Sequence, residues 1–479
     1  MLFNSWVFVA FFLAVLVLYW NIPHRRQNQF LLLASYFFYG YWDWRFTFLL
    51  AFSTLVDYNV AQFLENSEDP RTRKKWLWLS CFVNLGLLAT FKYFNFFVDS
   101  AAVLLENAGL EANLPALSVI LPVGISFYTF QTLAYTIDVY RREQKATNDF
   151  VAYAVYVCYF PQLVAGPIER AKRLMPQIQS ERTMTVEKRN SGVQLLLWGF
   201  LKKVAIADTL APLVDRAFED PAAHHGAFLW LAMYAFALQI YCDFSGYSDI
   251  ARGTSRLLGI ELIENFRAPY LSSNIVHFWR RWHISLSNWL RDYLYIPLGG
   301  NRLGDFKQYR NLMITMLLGG LWHGAAWTFV LWGGLHGMYL AVYRLIKERI
   351  LGQEVKGFQD GSWIMRFLGT LVTFHLVCLA WIPFRAPSWD ILQTYVITLL
   401  KEASWVATEN PLPNGILIQT IFYGAIVLIL DLLIWRNDNE LPFQEKHPWW
   451  LRGVAYGLGL TILAYVRGVS SGTFIYFQF

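Results

Sequence analysis

Three histidines sit in stretches that are otherwise apolar: His323 in LLGGLWHGAAWTF, His336 in LWGGLHGMY and His375 in TLVTFHLVCLAWIPFR. Ionisable groups are expensive inside a bilayer, so each is a functional candidate. An imidazole titrates near pH 6.5 in water, which suits a general base at neutral pH. Acyl transfer from a thioester needs such a base to take the proton of a hydroxyl acceptor, or a nucleophile to hold the acyl group. His323 is flanked by Gly319, Gly320, Gly324, Ala325 and Ala326. Small residues allow close backbone approach and leave space for a substrate beside the ring. The same pattern is met by a histidine that only hydrogen-bonds between helices. His336 lies thirteen residues after His323, roughly 20 Å further along a continuous helix and on another face, so the two do not form a local pair. His375, on a separate helix, is the easier companion for His323, and His336 reads as structural.

Other reactive types carry less. Asp243 and Asp249 lie in QIYCDFSGYSDIARG, with Arg252 three residues after Asp249, a spacing at which the arginine can neutralise the carboxylate on one helix face. This reads as a structural polar network. Cys81, Cys158, Cys242 and Cys378 all lie in or beside apolar segments; they show neither metal-ligand spacing nor a disulfide framework. No nucleophile elbow and no Walker A loop occurs. No metal and no tightly bound cofactor is expected.

The elements that position these residues must be membrane helices. Of 479 residues, 56% are hydrophobic and 15% charged, with 38 Phe, 26 Tyr and 21 Trp, whereas a soluble domain carries about 25% charged residues. The net charge of +6 is too small for a nucleic-acid footprint and fits basic cytoplasmic loops. Residues 1–20 resemble a retained first helix rather than a cleaved signal. Apolar segments fall at about 5–22, 30–42, 46–64, 77–98, 118–138, 150–165, 192–217, 228–248, 311–322, 326–346, 363–385, 389–402, 414–435 and 449–467. With about 20 residues per crossing, they predict about eleven spans, the short ones being re-entrant or broken. Basic clusters at 24–26, 71–75, 141–145, 170–188, 280–291, 302–310 and 344–356, set against the 99–117 and 219–226 loops, place the N-terminus outside the cytoplasm. No repeat or long linker divides the chain, so residues 1–479 read as a single polytopic domain. The stretch 266–310, FRAPYLSSNIVHFWRRWHISLSNWLRDYLYIPLGGNRLGDFKQYR, is too polar to span. Trp279, Trp282, Leu286, Trp289, Leu290 and Tyr293 fall on one face, which predicts an amphipathic helix lying in the interface or inserted partway into the protein.

LWHGAAWTFVLWGGLHG and HFWRRWHISLSNWLRDYLYIPLGG, with LPVGISFYTFQTLAYTIDVYR, FPQLVAGPIER, QIYCDFSGYSDIARG and the closing FIYFQF, resemble the membrane-bound O-acyltransferase (MBOAT) superfamily in its bacterial polysaccharide-acetylating branch. The resemblance implies an all-α integral membrane fold: a ring of about eleven tilted helices, with re-entrant or interfacial helices, around a central tunnel. It implies His323 as the catalytic residue, His375 as the second histidine, and Arg280, Arg281, Trp282 and His283 at a donor entrance. It further implies acetyl-CoA as cytosolic acyl donor, a location in the bacterial inner membrane, a periplasmic SGNH-hydrolase-like partner, and an exopolysaccharide such as alginate as acceptor. Related branches acetylate cellulose or peptidoglycan, or transfer D-alanine to teichoic acid from a carrier protein. A transporter without chemistry is the reading from another class.

Overall fold

In a computed structural model, which describes residues 1–110, 120–302, 304–352, 362–401, 414–437, 441, 448–466 and 474, no strand occurs among the described residues. Apart from Phe474, the closing FIYFQF lies outside them, as do the far part of the 99–117 loop and the end of the 344–356 cluster. Several helices start where the sequence provides a side-chain cap. Ser5 accepts from the Phe8 amide at 3.2 Å, Asp149 from Ala152 at 2.9 Å and Asn274 from His277 at 2.9 Å. Asp69 accepts from Thr72 ahead of a helix whose first residue is Pro70. Each cap satisfies an otherwise orphaned amide and is worth about 1 kcal/mol.

Six helices among the described residues are long and apolar enough to cross a bilayer: Arg45–Asn66, Pro70–Asn107, Gly226–Leu257, Trp327–Glu348, Trp363–Arg385 and Leu417–Asn437. This makes a multi-pass, all-α membrane protein. The count is lower than the eleven expected because several apolar segments make shorter or more polar helices. Trp6–Asn21 stops at 16 residues. In the 118–138 segment the described helix begins at Ile125, directly after Gly124 in a left-handed conformation (φ 79°). The 192–217 segment carries Lys202 and Lys203 through a π-helical turn, Leu201–Ala207, with Asp208 directly after it.

The chain divides into two compact units, Met1–Val193 with Ala251–Ile263, and Gln194–Ile250 with Glu264–Phe479. The first unit is held by polar contacts inside apolar helices. Asp57 accepts from Ser80 at 2.6 Å and from Asn84 at 2.8 Å, and the Asn84 carbonyl oxygen in turn accepts from Ser53 at 3.0 Å.

All three candidate histidines belong to the second unit. Helix Gly226–Leu257, whose residues up to Ile250 belong to this unit, is 83% buried over its most apolar stretch, whereas Leu417–Asn437, 22% buried, turns most of its surface outward. Within this unit Lys203 bridges Asp243 at 2.5 Å and Asp208 at 2.7 Å, and Asp249 is ion-paired with Lys202. The expected polar network is present, with Lys202 as the partner seen for Asp249.

The stretch 266–310 departs from a single amphipathic helix. It breaks into Ile275–Trp279, Ile284–Leu290 and a π-helical turn, Arg291–Tyr295. The break falls at His283, whose left-handed backbone (φ 44°, ψ 55°) is costly for any residue with a Cβ, on the order of 1–2 kcal/mol. Such strain persists only where the surroundings over-determine it, and it collects at functional sites.

Candidate active site

Helix Asp305–His323 ends on His323 because Gly324 is fully extended, and the chain turns helical again at Trp327–Arg344. The two helices pack as a tight antiparallel hairpin. A Cβ on Gly320 would overlap the Phe329 carbonyl, and one on Gly333 the Met316 carbonyl; at Gly337 it would come within 2.8 Å of Met313 Sδ. Gly320 before LWHG and Gly333 in LWGGLHG are therefore required by close approach to the facing backbone, and this contact holds His323 at the rim of the hairpin.

The His323 side chain is buried at 4% exposure. Its ring lies 5.0 Å from Trp332, 5.4 Å from Phe384 and 6.3 Å from His283, centre to centre. Behind these, Trp332 stacks on Trp381 at 5.7 Å, and Trp381 meets Trp282 at 4.9 Å. A cage of this composition excludes bulk water. Proton transfers and charge development inside it feel a low dielectric.

His283 is held by Asn265. The Asn265 carbonyl oxygen accepts from the Ser285 amide at 3.2 Å and the Ser285 hydroxyl at 2.9 Å, and lies 3.2 Å from His283 Nδ1. The Asn265 backbone carbonyl accepts from the Ile284 amide at 2.9 Å. Because that side-chain oxygen can only accept, His283 carries its proton on Nδ1 and presents Nε2 as a lone pair. Burial pushes the His283 imidazole down to about 3, so it stays neutral at any working pH. It is a poor proton store but a well-oriented hydrogen-bond acceptor. Asn265 thus caps the short helix Ile284–Leu290, pins the strained residue and sets the tautomer.

The structure brings His283 to His323 and sets Trp282 behind them against Trp381, whereas His375, Arg280 and Arg281 make their contacts elsewhere. His375 is half-buried; its Nδ1 lies 2.8 Å from the Tyr234 hydroxyl and its ring stacks on Trp230 at 5.4 Å. Phe384, which touches His323, is nine residues further along the helix Trp363–Arg385, a rise of roughly 13 Å. Arg280 is exposed. Arg281 donates to the Arg267 carbonyl at 2.9 Å and covers the Trp435 ring at 3.8 Å. Only Trp282 and His283, at 1% and 0% exposure, enter the core. The contact of His283 with His323 spans forty residues of sequence, and Asn265, in the featureless ENFRAPY, carries no signal that would have singled it out.

The profile of MBOAT, the membrane-bound O-acyltransferase family, matches residues 139–382, a stretch that holds His283, His323, His336 and His375. The chain belongs to this family. It is an O-acyltransferase. Among its curated relatives, the "Probable alginate O-acetylase AlgI" of Pseudomonas aeruginosa is 41% identical over 94% of this chain and 84% of its own length. The "Peptidoglycan O-acetyltransferase" of Helicobacter pylori is 33% identical over 100% of this chain and 98% of its own. The "Teichoic acid D-alanyltransferase" of Streptococcus thermophilus is 28% identical over 55% of this chain and 68% of its own. For an O-acyltransferase, a buried imidazole beside a neutral, oriented one, walled by aromatic rings, is a fitting constellation for moving one proton without admitting water.

Proposed function

We propose that this O-acyltransferase takes an acetyl group from cytosolic acetyl-CoA, in the bacterial inner membrane, and passes it outward for O-acetylation of an exopolysaccharide of the alginate kind. In this reading a periplasmic SGNH-hydrolase-like partner receives the group. The single observation that carries the chemistry is the enclosed contact of His323 with His283. The near-full-length likeness to a protein named for alginate O-acetylation supports the acceptor class; the likeness over the whole chain to a peptidoglycan O-acetyltransferase supports peptidoglycan as the second reading.

His323 acts as the base. It takes the proton of the acceptor hydroxyl as the oxygen attacks the thioester carbonyl carbon. The C–O bond forms, the C–S bond breaks, and the imidazolium returns the proton to the leaving thiolate. His283 stays neutral throughout and accepts a hydrogen bond through Nε2, orienting the reacting group. Exposed Arg280 meets the donor phosphates, for which a guanidinium is well shaped. His375 positions Tyr234 and takes no part in the proton transfer.

The test is transfer from radiolabelled acetyl-CoA in membranes that also hold the partner and the polysaccharide. His323→Ala should cost on the order of 10²–10⁴ in rate, the usual worth of general base catalysis, at unchanged protein level. Full transfer by His323→Ala would remove it from the mechanism. Loading from an acylated carrier protein, with acetyl-CoA ignored, would replace the donor.

A further inference from the structure

His336 is the histidine that the reaction above leaves unused, and its surroundings are unusual. It is completely buried. Its ring lies 4.9 Å from Trp332, 5.0 Å from Trp279 and 6.0 Å from Phe278, on which it stacks. Trp279 and Trp332 are themselves 5.8 Å apart. Among the described residues, neither ring nitrogen of His336 has a hydrogen-bond partner, and neither has the indole nitrogen of Trp279 or of Trp332. Leaving one buried polar group unsatisfied costs about 1–3 kcal/mol, and native structures keep few of them. Here three side chains with such groups face one another, and Trp332 is also in contact with His323 at 5.0 Å.

The inventory of these groups is biased. Each indole offers one N–H and no acceptor. A neutral imidazole offers one N–H in either tautomer, and one lone pair. The cluster therefore presents three donors against one acceptor. Its complement is an oxygen that accepts several hydrogen bonds at once, which is what an acyl carbonyl becomes as its carbon is attacked.

We propose that His336, Trp279 and Trp332 form a carbonyl-binding subsite that holds the acyl oxygen of the donor beside His323. This rests on the thioester-donor reading above. It assigns His336 a binding role, and it gives the aromatic cage a polar face turned toward the substrate.

The experiment uses the full-length protein in detergent and two analogues that cannot react. S-acetonyl-CoA keeps a ketone oxygen; S-propyl-CoA has the same shape without it. Binding of each is measured by competition against labelled CoA, in wild type, His336→Phe, Trp332→Phe and Trp279→Phe. Trp279 is half-buried and on a separate short helix, so its variant remains informative if a substitution in the hairpin impairs folding; gel filtration and melting temperature control for that. Two or three hydrogen bonds at about 0.5–1.5 kcal/mol each predict that wild type prefers the ketone by about tenfold or more. Each variant removes one of these bonds and should cut that preference by about two- to tenfold while binding S-propyl-CoA as wild type does. A preference that survives all three substitutions, or its absence in wild type that still binds both analogues, would overturn the subsite alone. If wild type binds neither analogue, both the donor reading and the subsite fall.

Discussion

Asn265→Ala is the substitution that tests the architecture of the site most directly. The Asn265 side chain is 1% exposed, and its carbonyl oxygen serves the Ser285 amide, the Ser285 hydroxyl and His283 Nδ1. Alanine removes that acceptor and leaves buried donors behind. At about 1 kcal/mol per lost bond, with more where the donor finds no water, the loss is on the order of 3 kcal/mol of local stability. The short helix Ile284–Leu290 loses its cap, the left-handed conformation at His283 loses its constraint, and the tautomer of His283 is no longer set. The expected outcome is a melting temperature several degrees lower in detergent, followed by tryptophan fluorescence. Acetyl transfer should fall by about 10–100-fold, mainly in kcat, because in the proposed reading the donor's phosphates meet Arg280 and not Asn265. Asn265→Asp offers the same acceptor geometry and should recover most of the stability. Its charge would raise the pKa of His283, so transfer should be more sensitive to acid than in wild type, as His283 protonates and stops accepting. Wild-type melting and wild-type transfer in Asn265→Ala would refute the claim that Asn265 organises the site.

His375→Phe keeps the ring that stacks on Trp230 and loses only the Tyr234 contact, so transfer should remain within about threefold of wild type, whereas His283→Ala should lose most of it; a loss of transfer in His375→Phe at normal expression would bring His375 back into the chemistry. Gly320→Ala places a methyl on the Phe329 carbonyl and should cost about 3 kcal/mol or more, as overpacking against rigid backbone does; a monodisperse, wild-type gel-filtration profile with full activity would contradict the hairpin packing. Glu169 is buried in the loop after helix Phe150–Leu163, 3.4 Å from Arg173, and burial pushes its carboxyl up to about 7. Its folded-state pKa is thus raised, so the stability it contributes is complete below about 4.5 and is lost as pH rises through about 7, a swing on the order of 3 kcal/mol. Glu169→Gln should flatten the decline of melting temperature between pH 5 and pH 8; identical slopes would place the carboxyl in water.

Much was legible in the chain itself. Apolar runs with caps such as Ser5, Asp69 and Asp149 specify helices locally, and the excess of aromatic and aliphatic side chains over charges specifies a membrane around them, since no soluble core of this size could hide them. The glycines on both sides of His323 announced a close helix contact, and the intramembrane histidine stood out because lipid makes such a residue costly. These are properties of short windows, and a window is enough to read them.

Which groups meet was decided elsewhere. The partner of His323 is His283, forty positions away, and it arrives there only because the amphipathic pattern of 266–310 is interrupted at a strained residue that Asn265 holds in place. Helical periodicity predicted one continuous helix there, since it counts apolar faces and is blind to a left-handed residue such as His283 fixed by a distant amide. His375 and His336 look alike in sequence, each a histidine in an apolar span. The fold places the first against Tyr234 and the second between Trp279 and Trp332. The physical reason is that helix formation depends on bonds four residues apart, whereas a site depends on side chains from separate helices closing on a common volume, and that closure is set by packing, not by any local pattern.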